Sequence, residues 1–329
     1  MEKTAVSLFA GVGGIDLGFE RAGFKTIFAN EMDEYARQTY SLNFPGVHLD
    51  PRDVRTVEKA DLPTKSGVLL SGFPCQSFSI AGYRLGLEDE KNGDLFFQTL
   101  RIAKMVNADV LFLENVKNLV SHDHGKTFKI VLNALDANGY SVKYKVLNSR
   151  YYGDIPQNRE RIFMVAFKNS EHYHNFEFPD RIPETVTIRD LVDFENPVED
   201  EFYVTPERCK NYDVLDAGMT STNSIYQWRR YYLRENASNV CPTLTANMGV
   251  GGWNVPLIRT DDGRIRELTP RESFRLQEFP DSFRFPQISK KHLYKQSGNS
   301  VTVPVIERIA KNIADSANGP LSKPQGALF

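Results

Sequence analysis

Two side chains that could act together in covalent chemistry, a thiol and a carboxylic acid, each follow a short apolar run. Cys75 comes after the run 68–70 and the turn Gly-Phe-Pro, and Glu114 follows the run 109–113. In an open α/β sheet, ligands bind at the carboxyl ends of the strands. A thiol and an acid at neighbouring strand ends, beside a nucleotide site, indicate nucleophilic catalysis on an electron-poor ring.

The residues around Cys75 favour a reactive thiol over a packed one. A cysteine in an apolar neighbourhood is usually a core residue. Here Pro74 stiffens the turn and Gly72 lets backbone approach closely. Gln76, Ser77 and Ser79 supply hydrogen-bonding groups that core packing does not need. We therefore interpret Cys75 as the centre of the site.

The N-terminal segment predicts a nucleotide-binding unit. The apolar strand 5–9 enters the glycine turn AGVGG, and helical spacing follows. Gly11 and Gly13 would let backbone N–H groups approach a ligand at a helix N-terminus, although Asp16 replaces the third glycine of the dinucleotide fingerprint. The next strand ends in Glu31, where such units often hold ribose hydroxyls.

Alternation of apolar and helical segments predicts the fold class. From residue 5 to 167 it favours an α/β fold with a doubly wound, mostly parallel sheet. Near residue 170 the composition shifts to prolines and acids, and the stretch up to about 265 combines aromatic-basic clusters with glycine turns. We expect a larger domain of residues 1–178 and 290–329, and a smaller, irregular domain of residues 179–289.

Composition sets broad limits on function. The chain has 329 residues, 41% of them hydrophobic and 25% charged, which are globular values. The net charge of -2 decides nothing about nucleic acid, because basic residues can concentrate on one face. Three widely spaced cysteines without a CxxC pair indicate neither a disulfide framework nor a metal site, and no signal or membrane segment is evident. These features predict a soluble cytoplasmic protein.

Six motifs make the chain resemble a bacterial DNA (cytosine-5) methyltransferase of a type II restriction-modification system. In chain order they are FAGVGG (9–14), GFPCQSFS (72–79), ENV (114–116), QNRERIF (157–163), RELTPRESFRLQEFP (266–280) and QSGNS (296–300). They extend over nearly the whole chain. The resemblance implies that the larger domain has the S-adenosylmethionine-dependent methyltransferase fold and that the smaller domain recognises the target.

The same resemblance implies a reaction and its catalytic residues. A methyl group would pass from S-adenosyl-L-methionine to C5 of a cytosine flipped out of a short duplex DNA sequence, with Cys75 adding to C6. Glu114 would hold N3 and the exocyclic amine, and Asn115 would help to orient the base. Of Arg159 and Arg161, one is expected near cytosine O2 and the DNA backbone, and the other would support Glu114.

Cofactor and DNA contacts are expected from the resemblance and from the basic and glycine-rich clusters. The expected cofactor-binding residues are Phe9, Gly11, Gly13, Glu31, Met32, Asp53, Pro74, Asn299 and Ser300. The expected DNA-binding residues are Gln76, Ser79, Arg229, Arg230, Thr243 and Leu244. Ala81 stands where related enzymes often have Ser, so the sequence does not identify the side chain that fills the space left by the flipped base.

Three alternatives compete with this reading. Related enzymes methylate cytosine in tRNA, but their characteristic Cys-Phe-Thr segment is not evident here. A protein that binds S-adenosylmethionine or DNA without catalysing a reaction would not need Cys75, Glu114, Arg159 and Arg161 together. A cysteine hydrolase needs a histidine base, yet His122 and His124 lie in a charged loop.

The expected partner is double-stranded DNA, which the protein would bind as a monomer. A cognate endonuclease would act on the same site without binding this protein.

Overall fold

Short runs of buried apolar residues form the strands of a seven-stranded sheet in the computed structural model, which describes residues 1–74, 95–236, 238–251 and 253–319. The strands in these ranges are β1 (Thr4–Leu8), β2 (Lys25–Asn30), β3 (His48–Asp50), β4 (Val68–Ser71), β5 (Val110–Val116), β6 (Ser141–Asn148), β7 (Gln157–Asn158), β8 (Glu160–Phe167), β9 (Ile225–Arg229), β10 (Tyr232–Asn236), β11 (Cys241–Pro242), β12 (Leu257–Arg259) and β13 (Ile265–Glu267).

The large sheet has the strand order β3-β2-β1-β4-β5-β8-β6. Strands β1 to β5 pair in parallel, and β8 runs antiparallel to β5. The first five strands follow the classical doubly wound order, whose strand ends bind ligands. The predicted mostly parallel, doubly wound sheet is therefore confirmed.

Helices surround the sheet and continue through the rest of the chain. They are α1 (Gly14–Arg21), α2 (Glu34–Asn43), α3 (Leu95–Met105), α4 (Lys126–Ala137), α5 (Ser149–Gly153), α6 (Ser170–Asn175), α7 (Ile188–Leu191), α8 (Tyr212–Gly218), α9 (Pro270–Arg275), α10 (Lys290–Asn299) and α11 (Val303–Ser316). Leu69 and Leu111 of the sheet share one buried core with Ile102 of α3 and Leu135 of α4. No helix in the described ranges has both the length and the apolar composition to cross a bilayer.

The chain divides into two compact units. The first unit comprises residues 1–147, 160–180 and the chain from Val305, and the second comprises 148–159 and 181–304. Two segments that we expected in the larger domain therefore belong to the second unit, namely 148–159 and 290–304. Local pairing explains this, because β7 pairs with β11, and the hydroxyl of Tyr294 donates to the carbonyl of Leu268. The functional division into two domains stays a prediction.

The second unit is built on a four-stranded sheet with the order β10-β9-β12-β13. Ile225, Ile258 and Leu268 belong to one of its apolar clusters, and Tyr226 and Leu257 belong to another. The sequence predicted only an irregular domain here. Strands as short as the three residues of β12 and β13 carry too little alternation to be recognised.

The stretch from Leu268 to Phe279 predicts a helix with Thr269 as N-cap and Pro270 in its first turn, and helix α9 begins in this way. The side chain of Thr269 accepts from the backbone N–H of Glu272 at 3.2 Å, and the Glu272 carboxylate accepts from the N–H of Thr269 at 2.7 Å, which is a capping box. The same carboxylate pairs with the buried guanidinium of Arg266 at 2.7 Å. The helix stops before the predicted end at Phe279, where Glu278 takes a left-handed φ of 59°.

The burial of Glu267 at the end of β13 predicts that the stability of the folded chain depends on pH. Burial raises the pKa of its carboxyl to about 7, although Lys290 and Arg208 act in the opposite direction. Between the ordinary value of 4.5 and about 7, the folded chain then binds more protons than the unfolded chain. The free energy of unfolding should therefore fall by about 2 to 3 kcal/mol as the pH rises through this window.

Urea unfolding of the wild type and of Glu267→Gln at both ends of the window measures this effect. The variant should lose less stability than the wild type over the same pH change, because its amide does not titrate. Equal losses in the two proteins would contradict the prediction.

Candidate functional site

The ends of β1 and β2 form one part of the site. Phe9 and Gly11 have left-handed φ values of 54° and 56°. A Cβ on Gly13 would lie 2.2 Å from the ring of Phe44, whereas a Cβ on Gly11 would meet no atom of the described residues within 4 Å. Gly11 therefore lies on the open side of the turn, where a ligand can approach the backbone.

Glu31 closes this turn through both of its carboxylate oxygens. Oε2 accepts from the backbone N–H of Gly11 and Oε1 from that of Asp33, each at 2.7 Å. Burial raises the pKa of Glu31, and the two N–H donors act to lower it. The carboxylate thus sits at the carboxyl end of β2, as predicted. Met32, the next residue, is 66% exposed, so a large apolar side chain stands open beside it.

Asp53 precedes a short 3₁₀ helix, Val54–Thr56, and caps it. Its Oδ1 accepts from the backbone N–H of Arg55 at 2.9 Å, and its Oδ2 accepts from the Arg55 guanidinium at 2.8 Å. Each oxygen retains a further acceptor position, since a carboxylate oxygen has two lone pairs. A contact between Asp53 and an adenine amino group stays a prediction.

The segment that leads to Cys75 is held by Asn115. The carboxamide of Asn115 donates to the carbonyl of Phe73 at 2.8 Å, and its oxygen accepts from the N–H of Val116 at 2.8 Å. Asn115 therefore fixes the backbone just before Pro74, the last described residue at this strand end. The predicted nucleophile Cys75 and the predicted DNA contacts Gln76 and Ser79 lie outside the described residues.

Glu114 and Arg161 form an ion pair at the end of β5. Arg161 Nε lies 3.1 Å from Glu114 Oε1, and both side chains are largely buried. The antiparallel pairing of β8 with β5 sets Arg161 opposite Val116, two residues beyond Glu114. The other oxygen of Glu114 faces Gly72, where an added Cβ would lie 3.7 Å away. Arg161 is thus the arginine that contacts Glu114.

Arg159 belongs to the second unit and is 2% exposed. Its guanidinium donates to the carbonyls of Leu244 at 2.9 Å, of Gly298 at 3.1 Å, and of Ser300. The sequence predicted a catalytic residue, whereas this geometry favours one that positions backbone. Thr243 also donates from its hydroxyl to the carbonyl of Asn158 at 2.6 Å, so residues 157–159, residues 298–300 and the pair Thr243–Leu244 meet within this unit.

Asn299 ends α10, and Ser300 follows it. The N–H of Ser300 donates to the carbonyl of Gln296 at 3.0 Å, and the buried Ser300 hydroxyl has no hydrogen-bond partner in the described part of the chain. A Cβ on Gly298 would lie 2.2 Å from the carbonyl carbon of Thr245, so only glycine fits there. Both predicted cofactor residues lie in the second unit.

A polar pocket of about 550 Å³ opens in the second unit. Its lining includes Arg150, Asn158, Gln227, Arg229, Arg234 and Thr243, and no carboxylate is among its described lining residues. Arg229 and Thr243, two of the expected DNA-binding residues, line this pocket, and Arg230 lies in the adjoining turn; their contact with DNA stays a prediction. Leu244 is 1% exposed and packs in the core, which excludes its side chain from surface contact as the structure stands.

Sequence reasoning did not single out Gln227 or Arg150. Gln227 stands two residues before Arg229 on β9, so the period of two places both on one face of the strand. That alternation is the signal that could have identified Gln227. Among the described residues, no group of three or more His, Cys, Asp or Glu side chains is arranged to hold a metal ion.

The chain is similar to known proteins over most of its length. A family model described as C-5 cytosine-specific DNA methylase matches residues 4–315. The chain is 58% identical over 311 residues to the type II methyltransferase M.Bsp6I of Bacillus sp. (strain RFL6), covering 94% of this chain and 98% of the relative. It is 36% identical over 324 residues to M.HhaI of Haemophilus parahaemolyticus, covering 95% and 94%.

Solved structures share the fold. A DNMT2 mutant of Spodoptera frugiperda aligns with a TM-score of 0.72 at 19% identity, covering 94% of this chain and 99% of that one. A prophage-encoded DNA modification methyltransferase from E. coli aligns with a TM-score of 0.70 at 23% identity, covering 96% and 99%. At these identities the likeness concerns the fold. With the family match over residues 4–315, the resemblance found in the six motifs is confirmed: this chain belongs to the C-5 cytosine-specific DNA methylases.

Proposed function

We propose that this enzyme transfers a methyl group from S-adenosyl-L-methionine to C5 of a cytosine in a short duplex DNA sequence, through a covalent adduct of Cys75. The observation that carries the proposal is the Glu114–Arg161 pair at the end of β5. It stands beside the backbone that Asn115 fixes two residues before Cys75. An acid anchored in this way, beside the backbone that leads to Cys75, suits nucleophilic attack by that thiol on a pyrimidine ring.

C5 of cytosine is not itself nucleophilic, so the enzyme must first activate the ring. The thiolate of Cys75 bonds to C6, and the electrons of the C5–C6 double bond become available at C5. Glu114 contacts the exocyclic amine and holds a proton at N3, which neutralises the negative charge that the thiolate brings onto the ring, while Arg161 holds the carboxyl group of Glu114 in place. C5 then takes up the methyl group that S-adenosyl-L-methionine would supply; the bond between this methyl group and the sulfonium sulfur breaks, which leaves S-adenosylhomocysteine. Loss of the C5 proton to water then re-forms the double bond and releases Cys75.

The residues at the ends of β1 and β2 fit this cofactor. The open turn at Gly11 admits backbone contacts, Glu31 presents a carboxylate suited to ribose hydroxyls, and exposed Met32 offers an apolar surface to a purine. Phe9, Gly13, Asp53 and Pro74 complete the proposed set on this side. Asn299 and Ser300 are proposed to contribute as well, supported by the unsatisfied Ser300 hydroxyl.

Replacing Glu31 by Gln should weaken cofactor binding by about tenfold to a hundredfold, because an amide group would face an N–H donor in place of one carboxylate oxygen. The dissociation constant of S-adenosyl-L-methionine, measured calorimetrically, gives the effect. Glu34→Gln is the matched control, since Glu34 is an exposed glutamate on α2. Equal affinities in wild type and Glu31→Gln would contradict the assignment.

The second unit is proposed to bind the DNA. Its pocket is lined by arginine, amide and hydroxyl groups without a described carboxylate, which suits phosphates and base edges. Arg229, Arg230 and Thr243 are the proposed contacts, with Gln76 and Ser79 acting near the flipped base. The target cytosine must leave the stack, because its C6 is inaccessible to a thiolate inside a duplex.

In the cell, we propose that methylation protects host DNA from a cognate endonuclease, which acts on the same sequence without binding this protein. The enzyme is proposed to be cytoplasmic and to act as a monomer on DNA. Expression in a host that lacks cytosine methylation, followed by bisulfite sequencing of the genome, tests the activity. Protection of one short motif, absent with an empty vector, is expected. Protection confined to RNA would favour tRNA methylation instead, and no protection would reject the proposal.

A further inference from the structure

The tip of the β9–β10 hairpin presents an unusual pair of residues. Arg229 pairs with Tyr232, so Arg230 and Tyr231 form a two-residue turn. Such turns favour Asn-Gly or Asp-Gly, because positive φ values are required. Arg230 nevertheless takes a left-handed φ of 49°, and Tyr231 is 90% exposed. The hairpin therefore accepts a strained backbone at the point where it holds a large aromatic ring in solvent.

The surroundings of this tip are cationic. Arg229 donates to the carboxamide oxygen of Gln227 at 2.9 Å, and both line the polar pocket of the second unit. Arg234 is paired with Gln227 across the hairpin and lines the same pocket. Arg229 and Arg230 thus lie beside and within the turn that carries Tyr231, and Arg234 follows two residues beyond Tyr232 on β10. This charge distribution fits the phosphates of a nucleic acid backbone.

We propose that Tyr231 enters the base stack of the duplex and occupies the space that the target cytosine leaves. The inference rests on the proposed function and adds to it the residue that stabilises the flipped state. Apolar side chains that insert between base steps unstack them, and an aromatic ring stacks on a base of any identity. Arg229 and Arg230 would hold the flanking phosphates, which places the ring of Tyr231 against the stack.

The neighbouring tyrosine provides a matched control. Tyr232 is also exposed, at 60%, but it is the first residue of β10 and pairs with Arg229 on the hairpin ladder. It therefore differs from Tyr231 in its place on the hairpin and not in its chemistry. Because both rings are exposed, replacement of either one should leave folding unchanged, which thermal unfolding checks.

The test uses duplexes that contain the methylated motif found by bisulfite sequencing. Tyr231→Ala should slow single-turnover methylation by about tenfold to a hundredfold, because it loses one base-stacking contact. Tyr231→Phe and Tyr232→Ala should stay within about twofold of the wild type. The fluorescence of 2-aminopurine at the target position, which rises on unstacking, should fall in the complex with Tyr231→Ala.

A mispaired target separates insertion from ordinary DNA contacts. A mismatched base costs less to extrude, so the defect of Tyr231→Ala should shrink to about twofold on a duplex with a mispaired target cytosine. An equal defect on both duplexes, an equal defect in Tyr232→Ala, or a wild-type rate in Tyr231→Ala would overturn the inference and leave the proposed function intact. A wild type that methylates no DNA would instead reject both.

Discussion

Replacement of Glu114 by Gln should lower the rate of methyl transfer by about a hundredfold to ten-thousandfold, the range typical of a positioned acid or base. The amide has nearly the same shape but carries no charge and cannot hold a proton at N3. It also leaves Arg161, whose Nε lies 3.1 Å from the carboxylate, without its anionic partner in a largely buried setting. Single-turnover transfer of a labelled methyl group to a duplex containing the target motif measures the loss.

Glu160 provides the control for this experiment. It lies on β8 next to Arg161 and pairs with Lys117 at 2.9 Å, but both partners are well exposed. Exposed pairs contribute about 0 to 1 kcal/mol, so Glu160→Gln should retain nearly the wild-type rate. Arg161→Lys should fall between the two, because an ammonium group cannot reproduce the planar guanidinium contact. A normal rate for Glu114→Gln, or equal losses in both glutamine variants, would contradict the role of Glu114.

The central sheet could be predicted because its strands are apolar runs that the fold buries completely. Val68, Leu69 and Leu70 have no exposed surface, and a parallel sheet covered on both faces requires such runs. The antiparallel direction of β8 was not predicted, since direction depends on the pairing partner and not on the local pattern. Helix α10 was also missed, because Leu293 and Tyr294 are its only large apolar buried residues and the others are polar or small, such as Ser297.

The sequence predicted the positions and roles of some site residues better than those of others. Glu31 directly follows β2 and Glu114 lies two residues before the end of β5, and strand ends can be located approximately from the apolar runs of the chain. Arg159 and Arg161 could not be told apart, because the partners of Arg159 are carbonyls distant in sequence, at Leu244 and Gly298. Leu244 was expected to contact DNA, yet its burial depends on the packing of the second unit. Long-range contacts therefore set the roles that local pattern left open.

The other two cysteines make the proposed role of Cys75 directly measurable. Cys209 and Cys241 are free and buried, so neither thiol is exposed to a substrate, and burial also raises the pKa of the Cys241 thiol. A duplex with 5-fluorocytosine at the target position traps the adduct, because fluorine at C5 cannot leave as a proton does. The wild type and Cys209→Ala should both form this covalent complex in the presence of S-adenosyl-L-methionine.

Cys75→Ser should form no covalent complex and should lose methyl transfer by at least about a thousandfold, because a hydroxyl at neutral pH is a far weaker nucleophile than a thiolate. Denaturing electrophoresis detects the complex, and labelled methyl transfer measures the rate. Binding of S-adenosyl-L-methionine should be retained, which separates lost chemistry from lost folding. A complex that persists in Cys75→Ser and disappears in Cys209→Ala would assign the nucleophile to Cys209 and refute the mechanism derived from the strand end at β4.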